Sequence, residues 1–245
     1  MKLAIPFLGD EADAPFPPAG EALRDPDGLL AAGGDLSVVR LLNAYRAGAF
    51  PWFMPGEPIL WWSPDPRCVF LTADLHVPRR LRRELRHSSW RVECDRDFAA
   101  VVAGCAAPRD THGGTWISDE MSAAYAALHA AGHAHSIEVR DGDDALVGGL
   151  YGVAIGRMFF AESMFSARDG GSKAALLGLA SRLASWGFPV LDAQVASRHL
   201  FTLGAKLVRR EEFLAIVAAL VDRPDVVGGW SGRFGVLPVA SLVDS

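Results

Sequence analysis

Cysteine is scarce in this sequence of 245 residues. The three cysteines, Cys68, Cys94 and Cys105, form no C-x-x-C pair and are odd in number. This pattern argues against a disulfide scaffold and against a cysteine zinc site. The reducing cytosol is the simplest compartment for such a chain, so we expect a cytoplasmic protein.

A long hydrophobic run is also lacking. The longest apolar stretch, Phe213–Val221, has nine residues and is bounded by charged residues. A membrane-spanning helix needs about 20 apolar residues, so we expect no membrane partner. The first residues carry one lysine and too short an apolar stretch for a secretory signal peptide.

The chain has no excess of basic charge, and its formal net charge of −5 argues against general coating of nucleic acid. Between Asp10 and Asp35, seven acids accompany a single arginine. Between Arg79 and Arg91, by contrast, there are six arginines and one acid, Glu84. A basic patch on an acidic protein indicates one anionic partner bound at one place, such as a phosphate backbone.

The composition of the chain changes near Arg67. Residues 1–66 hold most of the fifteen prolines, and one helix is predicted there, from the N-cap Ser37 to Gly48. Three of the seven tryptophans also lie in this segment and offer large surfaces to bury. We therefore predict a small N-terminal α/β domain, followed by a second domain over residues 67–245.

The second domain shows alternating strand and helix patterns. Helices are predicted from Pro78 and after the N-caps Ser118 and Ser172, and three consecutive strands lie between His135 and Ser166. A hairpin series followed by a helix and a further strand predicts an α+β fold, with a mixed, largely antiparallel sheet flanked by helices. This order is similar to that of the GNAT acyltransferase superfamily, as a likeness of topology alone.

Two polar residues, Asp192 and Gln194, close a predicted buried strand. Residues i and i+2 of a strand share a face, so the Asp192 carboxylate could accept a hydrogen bond from the Gln194 amide. The Gln194 carbonyl would then be free to accept from a reacting amine. The alternative is a polar pair that merely ends the strand.

Glu162 is an acid within the apolar strand FFAESMFS. Ionised carboxylates are seldom buried without a partner. Strand alternation places Phe160, Glu162 and Met164 on one face. Phe159 and Phe165 then lie on the other. Glu162 either faces solvent on a half-buried strand or belongs to a pocket for a cationic ligand.

Aromatic clusters surround Trp52 and Trp116, and a loop signal at Gly113–Gly114 precedes the second. Exposed tryptophans can stack on bases, at about 1–3 kcal/mol per base, although core packing is the ordinary alternative. His133 and His135 alternate on a strand, but no third ligand follows at a useful spacing. They therefore predict no metal site.

Two alternative functions remain open at this point. The turn from Arg168 to Lys173 partly matches the R-x-x-G-x-G/A pyrophosphate loop of acyl-CoA transferases, although Lys173 occupies the last small position. A GNAT-type acyl-CoA N-acyltransferase is therefore one alternative. A non-catalytic RNA-binding module that uses the arginine helix is another, but it leaves Asp192, Gln194 and Glu162 without a role.

Several longer strings are collinear over about residues 15 to 215. They are GLLAAGGDLS (Gly28–Ser37), LLNAYRAGAFPWF (Leu41–Phe53), PILWWSPDPR (Pro58–Arg67), GTWIS (Gly114–Ser118), LVGGLYGV (Leu146–Val153), ESMFS (Glu162–Ser166) and DAQ followed by HL..LGA (Asp192–Ala205). Through these strings the chain resembles the leucyl/phenylalanyl-tRNA–protein transferases. The GGDLS and WWSPDPR strings are the most specific.

The resemblance implies an aminoacyltransferase with a GNAT-like C-terminal domain. Such enzymes move Leu or Phe, and less readily Met, from aminoacyl-tRNA to the N-terminal Arg or Lys of a protein, which creates an N-degron for protein degradation. The resemblance implies no metal, no other cofactor and no covalent enzyme intermediate. The expected partners are aminoacyl-tRNA and proteins or peptides with N-terminal Arg or Lys, and we expect a monomer.

The resemblance also implies roles for single residues. Asp192 and Gln194 would form a catalytic relay beside the attacking amine, and Glu162 would lie at the polar end of the substrate site. Trp52 and Trp116 would hold the terminal adenosine. The apolar side-chain pocket would comprise Leu150, Phe159, Met164, Leu176, Leu179 and Leu191, and the tRNA would bind Arg79, Arg80, Arg82, Arg83 and Arg86.

The chain departs from the usual pattern of this family at a few positions. Ala193 stands in place of a Cys, Ala161 in place of a Gly, and Ser197 in place of an Asn. Leu150 and Leu179 replace a Met and a Phe found in some relatives. We therefore expect a shifted preference among Leu, Phe and Met.

Overall fold

The computed structural model describes residues 5–107, 115–225 and 227–243. A small sheet lies in the first part of the chain. Its strands are β1 (Phe7–Leu8), β2 (Leu29–Gly33), β3 (Phe50–Pro51) and β4 (Leu60–Trp62), in the order β1-β2-β4-β3. Helix α1 (Val38–Arg46) follows Ser37, whose hydroxyl accepts from the backbone N–H of Arg40, so the predicted helix is confirmed.

A larger sheet of eight strands begins at Arg67. Its strands are β5 (Arg67–Leu71), β6 (Arg91–Cys94), β7 (Ala134–Arg140), β8 (Leu146–Ile155), β9 (Met158–Ser166), β10 (Val190–Gln194), β11 (Lys206–Val208) and β12 (Leu237–Pro238). They lie in the order β11-β5-β10-β9-β8-β7-β6-β12. Strands β9 and β10 run parallel, and the other neighbouring pairs run antiparallel. The predicted α+β class with a mixed, largely antiparallel sheet is therefore confirmed.

Helices cover both faces of the larger sheet. They are α2 (Arg79–Arg86), α3 (Phe98–Ala106), α4 (Asp119–Ala130), α5 (Gly171–Ser185), α6 (Arg198–Thr202), α7 (Arg210–Leu220) and α8 (Ser231–Phe234). One buried cluster joins α1, α3, α4 and α7 with residues of both sheets, and a second joins α2, α5 and α8. Because β8 is covered on both faces, its sequence is almost continuously apolar instead of alternating. Within the described ranges, no helix is long and apolar enough to cross a membrane.

Helix α5 begins at Gly171, and not after Ser172 as predicted. Gly170 precedes the helix with φ +90°, a conformation that glycine adopts without a Cβ clash. The helix start also lies very close to β8, since a Cβ on Gly148 would be 2.5 Å from the carbonyl carbon of Gly171. The Ser172 hydroxyl instead lies 2.9 Å from that of Ser166, which ties α5 to the end of β9.

Candidate active site

The candidate active site lies where strands β9 and β10 separate. The two strands pair as far as Asp192 and Phe160. Just beyond this point the register of β9 against β8 shifts at Glu162, and the register of β10 against β5 shifts before Gln194. Because such bulges redirect side chains, they bring Glu162 and Gln194 into contact across the opening.

Asp192 is fully buried and paired with an arginine. Nε and Nη2 of Arg67 donate to its two carboxylate oxygens at 2.9 and 2.7 Å, and both side chains are 0% exposed. The guanidinium lies between the rings of Phe50 and Phe213, at 4.7 and 4.4 Å from their centroids. Asp192 also accepts from the backbone N–H of Gln194 at 2.8 Å.

The predicted bond between the Gln194 side-chain amide and Asp192 is wrong. Gln194 has φ +59°, and the register shift before it breaks the shared face that a regular strand would give these two residues. The side-chain Nε2 donates instead to Oε1 of Glu162 at 2.8 Å. Glu162 therefore orients the Gln194 amide group, and the side-chain carbonyl oxygen of Gln194 is available to accept a hydrogen bond.

Two buried tyrosines complete the cluster around Glu162. The hydroxyls of Tyr45 and Tyr125 lie 2.7 and 2.6 Å from its carboxylate oxygens and 2.7 Å from each other. Burial raises the pKa of Glu162 to about 7, although the hydrogen bonds from Tyr125 and Tyr45 oppose this shift. Burial and the nearby Glu162 raise the pKa of both tyrosines well above its usual value. The hydroxyls therefore keep their protons at neutral pH.

Trp52 and Trp116 line one cavity beside this cluster. The cavity has a volume of about 250 Å³ and is also lined by Glu162 and Gln194. Trp52 is 44% exposed, and its ring meets that of Trp62 edge-on with centroids 5.8 Å apart. The two tryptophans therefore border open space. The predicted loop at Gly113–Gly114 lies outside the described residues.

An apolar cavity of about 110 Å³ also borders Glu162. Four residues of the predicted pocket line it, namely Leu150, Met164, Leu176 and Leu191, together with Phe70 and Leu200. Phe159 and Leu179 are fully buried in the same hydrophobic cluster but are not among the residues that line the cavity.

The predicted alternation along β9 fails after Phe160. Met164 packs in the cluster that contains Phe159, whereas Phe160 and Phe165 belong to the other cluster. The bulge at Glu162 adds one residue to the strand, so it reverses the faces of the residues that follow.

Helix α2 presents the predicted basic surface. Leu81 and Leu85 are buried, as predicted, while Arg79, Arg80, Arg83 and Arg86 are exposed. Arg80 forms an ion pair with Glu84 at 2.8 Å. Nη1 of Arg82 donates to the backbone carbonyl of Val243 at 3.0 Å, so Arg82 also holds the backbone at Val243 against α2.

A groove begins at helix α2 and ends at Met164. It comprises two cavities, of about 480 and 730 Å³, which share Ser166, Ser172 and His199. Arg80 lines the end of the groove near α2, and Met164 lines both the opposite end and the apolar cavity.

His135, on β7, is a buried core residue. Nδ1 of His135 lies 2.8 Å from Asp95, and the imidazole stacks on Trp230 with centroids 3.8 Å apart. Across residues 5–107, 115–225 and 227–243, no three His, Cys, Asp or Glu side chains group as metal ligands would.

Three residues of the polar cluster around Glu162 and Asp192 were not predicted from the sequence, namely Tyr45, Tyr125 and Arg67. Each lies on a predicted element or inside a specific string, but each looks like an ordinary core or surface residue in sequence. A buried arginine is rare without a partner, so the PDPR string could have suggested an acid for Arg67. No local signal connects the two tyrosines with Glu162.

Comparison with known proteins adds independent information. Residues 69–218 match the family model of leucyl/phenylalanyl-tRNA protein transferase, and residues 34–65 match the model of its N-terminal domain. The leucyl/phenylalanyl-tRNA–protein transferase of Xanthomonas axonopodis pv. citri is 58% identical over 99% of this chain and 98% of its own length. That of Xylella fastidiosa is 55% identical over 94% and 95%, respectively.

A solved structure, L-PGS from Bacillus licheniformis, aligns with a TM-score of 0.39 and 10% identity over 69% of this chain and 54% of that one. A TM-score this low does not establish a shared fold or function. The sequence matches, by contrast, span the elements that build the Glu162–Gln194 cluster. They define an enzyme of the aminoacyltransferase class. More narrowly, the chain belongs to the leucyl/phenylalanyl-tRNA–protein transferase family.

Proposed function

We propose that this enzyme transfers Leu or Phe, and less readily Met, from aminoacyl-tRNA to the N-terminal Arg or Lys of proteins, and so creates an N-degron. The observation that carries the proposal is the position of Gln194 and Glu162. Both line the cavity of Trp52 and Trp116, and Glu162 also lines the apolar cavity. A nucleoside ester of an apolar amino acid has the nucleoside on one side of its reactive carbonyl and the apolar side chain on the other.

The proposed donor would bind as follows. The terminal adenosine stacks on Trp52 and Trp116, because base–aromatic stacking is sequence-tolerant and favourable. The amino-acid side chain enters the apolar cavity lined by Leu150, Leu176 and Leu191. A β-branched side chain carries bulk next to the ester, so Ile and Val are expected to be poorer donors than Leu.

The chemistry is aminolysis of an ester, in which an α-amine with a pKa near 8 attacks directly. We propose that alignment supplies most of the acceleration, since effective molarity contributes several kcal/mol. The Gln194 carbonyl accepts from the attacking amine, and Glu162 holds the Gln194 amide in place. Asp192 acts one step further away, through the backbone N–H of Gln194. No covalent enzyme intermediate is needed.

We propose that the tRNA lies along helix α2. Its exposed arginines suit a phosphate backbone. The groove past Ser166 and His199 runs from α2 to Met164, which also lines the apolar cavity, and it is the proposed path of the single-stranded 3′ end. We further propose a cytoplasmic monomer without metal or cofactor. Its small N-terminal domain would cover residues 1–66, and a GNAT-like domain would cover residues 67–245.

The test is transfer of radiolabelled leucine from Leu-tRNA to a peptide that begins with Arg, beside a matched peptide that begins with Ala. We expect label on the Arg peptide alone. This result would report both the transfer reaction and the requirement for an N-terminal Arg or Lys. Binding of Leu-tRNA without label on either peptide would instead favour the RNA-binding alternative.

The cavity walls give a second prediction. Leu176→Val removes a methylene group from the lining, so we expect the ratio of Phe to Leu transfer to rise about 10-fold. Leu179→Val is the matched control, because Leu179 is equally buried on the same helix but does not line the cavity. Both variants should lose about 1 kcal/mol of stability in denaturant unfolding. The same change of donor ratio in both variants would contradict the assigned lining.

A further inference from the structure

The oxygens of Tyr45, Tyr125 and Glu162 form a closed ring of short contacts. The two hydroxyls are 2.7 Å apart, and they lie 2.7 and 2.6 Å from Oε1 and Oε2 of the carboxylate. Each contact has the length of a hydrogen bond between oxygens. Each such bond requires one proton between the two oxygens.

The ring has three contacts, but the two tyrosines supply only two protons. If Glu162 is ionised, one contact must join two lone pairs. If both hydroxyls donate to the carboxylate, for example, no proton lies between Tyr45 and Tyr125. A third proton on Glu162 closes the ring, so that each hydroxyl and the carboxyl group donate one hydrogen bond and accept one within it.

The third proton can also leave without disrupting the surroundings. Gln194 donates to Oε1 of Glu162 in either state of the carboxyl group. The nearby Asp192 carboxylate also favours the protonated form of Glu162, although two hydrogen bonds pair it with Arg67. The pKa of Glu162, raised to about 7 chiefly by burial, places both states within reach at neutral pH.

We propose that Tyr45, Tyr125 and Glu162 form a proton-holding ring, in which ionised Glu162 accepts the proton that the attacking amine loses and returns it to the departing ribose oxygen. This inference rests on the proposed function. The new C–N bond forms, the C–O bond of the ester breaks, the amine loses one proton and the ribose oxygen gains one. Glu162 is the proton acceptor, and the tyrosines are positioning residues that stabilise its ionised form.

The first experiment examines the enzyme alone. Infrared difference spectra are recorded as a function of pH for the native enzyme and for Glu162→Gln. The native enzyme should show the carbonyl band of a protonated carboxyl group that disappears with a midpoint near pH 7, and Glu162→Gln should lack it. A Glu162 band already absent at pH 6 would overturn the ring.

The second experiment removes single hydroxyls. Tyr45→Phe and Tyr125→Phe each delete one donor to the ionised carboxylate, so the infrared midpoint should rise by about one pH unit. The pH midpoint of the acidic limb of kcat/KM for leucine transfer should rise together with the infrared midpoint. Since every variant uses the same acceptor peptide, the titration of the peptide amine is common to all.

Tyr151→Phe is the matched control. The Tyr151 hydroxyl is buried in the same region but has no hydrogen-bond partner among the described residues. Its loss should leave both the midpoint and the kinetic limb unchanged, and thermal melting shows whether each variant is folded. An equal shift in Tyr151→Phe, or no shift in the other two, would overturn the ring.

The outcomes separate this inference from the proposed function. If the native enzyme transfers leucine but the kinetic limb does not shift with the infrared midpoint in the two tyrosine variants, the proton-transfer role is overturned while the proposed function stands. If it transfers no leucine at all, the proposed function fails, and the proton-transfer role fails with it. Glu162→Gln should lower kcat by about 100-fold or more, the range of general base catalysis.

Discussion

Replacement of Arg67 by Met should lower the free energy of unfolding by about 3–5 kcal/mol, because it leaves the Asp192 carboxylate buried without its partner. The pair has two charge-assisted hydrogen bonds and no exposed side-chain surface. Methionine keeps most of the packing between Phe50 and Phe213, so the loss reports mainly the unpaired charge. Chemical denaturation at neutral pH measures it.

The double variant Arg67→Met/Asp192→Leu should recover most of this loss, since a buried ion pair can be exchanged for apolar side chains at little cost. Arg46→Met is the control for removal of an arginine. Arg46 pairs with Asp222 on the surface, at 2.7 Å and with 45% and 82% of the side chains exposed. That loss should stay below about 1 kcal/mol. A similarly small loss for Arg67→Met would contradict the structural role of the pair.

Under the proposed function, the same pair lets Asp192 act on transfer without contacting the substrate. Its carboxylate holds the backbone N–H of Gln194, which fixes the end of β10. Asp192 variants should therefore lose stability and activity together. Gln194 variants should separate the two properties.

Removal of the Gln194 side chain should lower kcat by about 100-fold or more, because misplacement of a reacting group by about 1 Å is sufficient for such a loss. Gln194→Ala and Gln194→Gly both delete the acceptor for the attacking amine. Radiolabelled leucine transfer at saturating donor and acceptor measures the effect. Near-normal kcat in either variant would contradict the role assigned to Gln194.

The two variants should differ in stability. Gln194 has φ +59°, which costs a residue with a Cβ roughly 1 kcal/mol relative to glycine. Gln194→Gly should therefore be more stable than Gln194→Ala by about 1 kcal/mol, even though both are poor enzymes. Equal stabilities would show that the backbone at Gln194 is not strained. The strain is local to the candidate site, where it redirects the Gln194 side chain toward Glu162.

Much of the secondary structure could be predicted because its causes are local. Ser37 and Ser118 accept from the backbone N–H groups three residues on, and these caps start α1 and α4. The spacing of Leu81 and Leu85 predicts which face of α2 is buried. The family strings also contain Gln194 and Glu162, which remain predicted site residues. Each of these signals lies within a few residues of the feature that it predicts.

The partners of the site residues could not be predicted in this way. Arg67 is 125 residues from Asp192, and Tyr45 is 117 residues from Glu162. A regular strand would also place the side chains of Asp192 and Gln194 on the same face. The register shift removes this shared face, and the Gln194 amide donates to Glu162 instead. Such a shift arises from pairing with neighbouring strands, which no local period records.

The sequence by itself determined the starts of α1 and α4, the buried and basic faces of α2, the mixed α+β class and the family. Only the tertiary structure decided that Asp192 pairs with an arginine and that Glu162 contacts two tyrosines and Gln194. It also shows that Phe159 and Leu179 are buried core residues that do not line the cavity. The physical reason is that capping and periodicity act within one element. Hydrogen-bond partners and pKa values, by contrast, depend on which distant side chains share the same buried space.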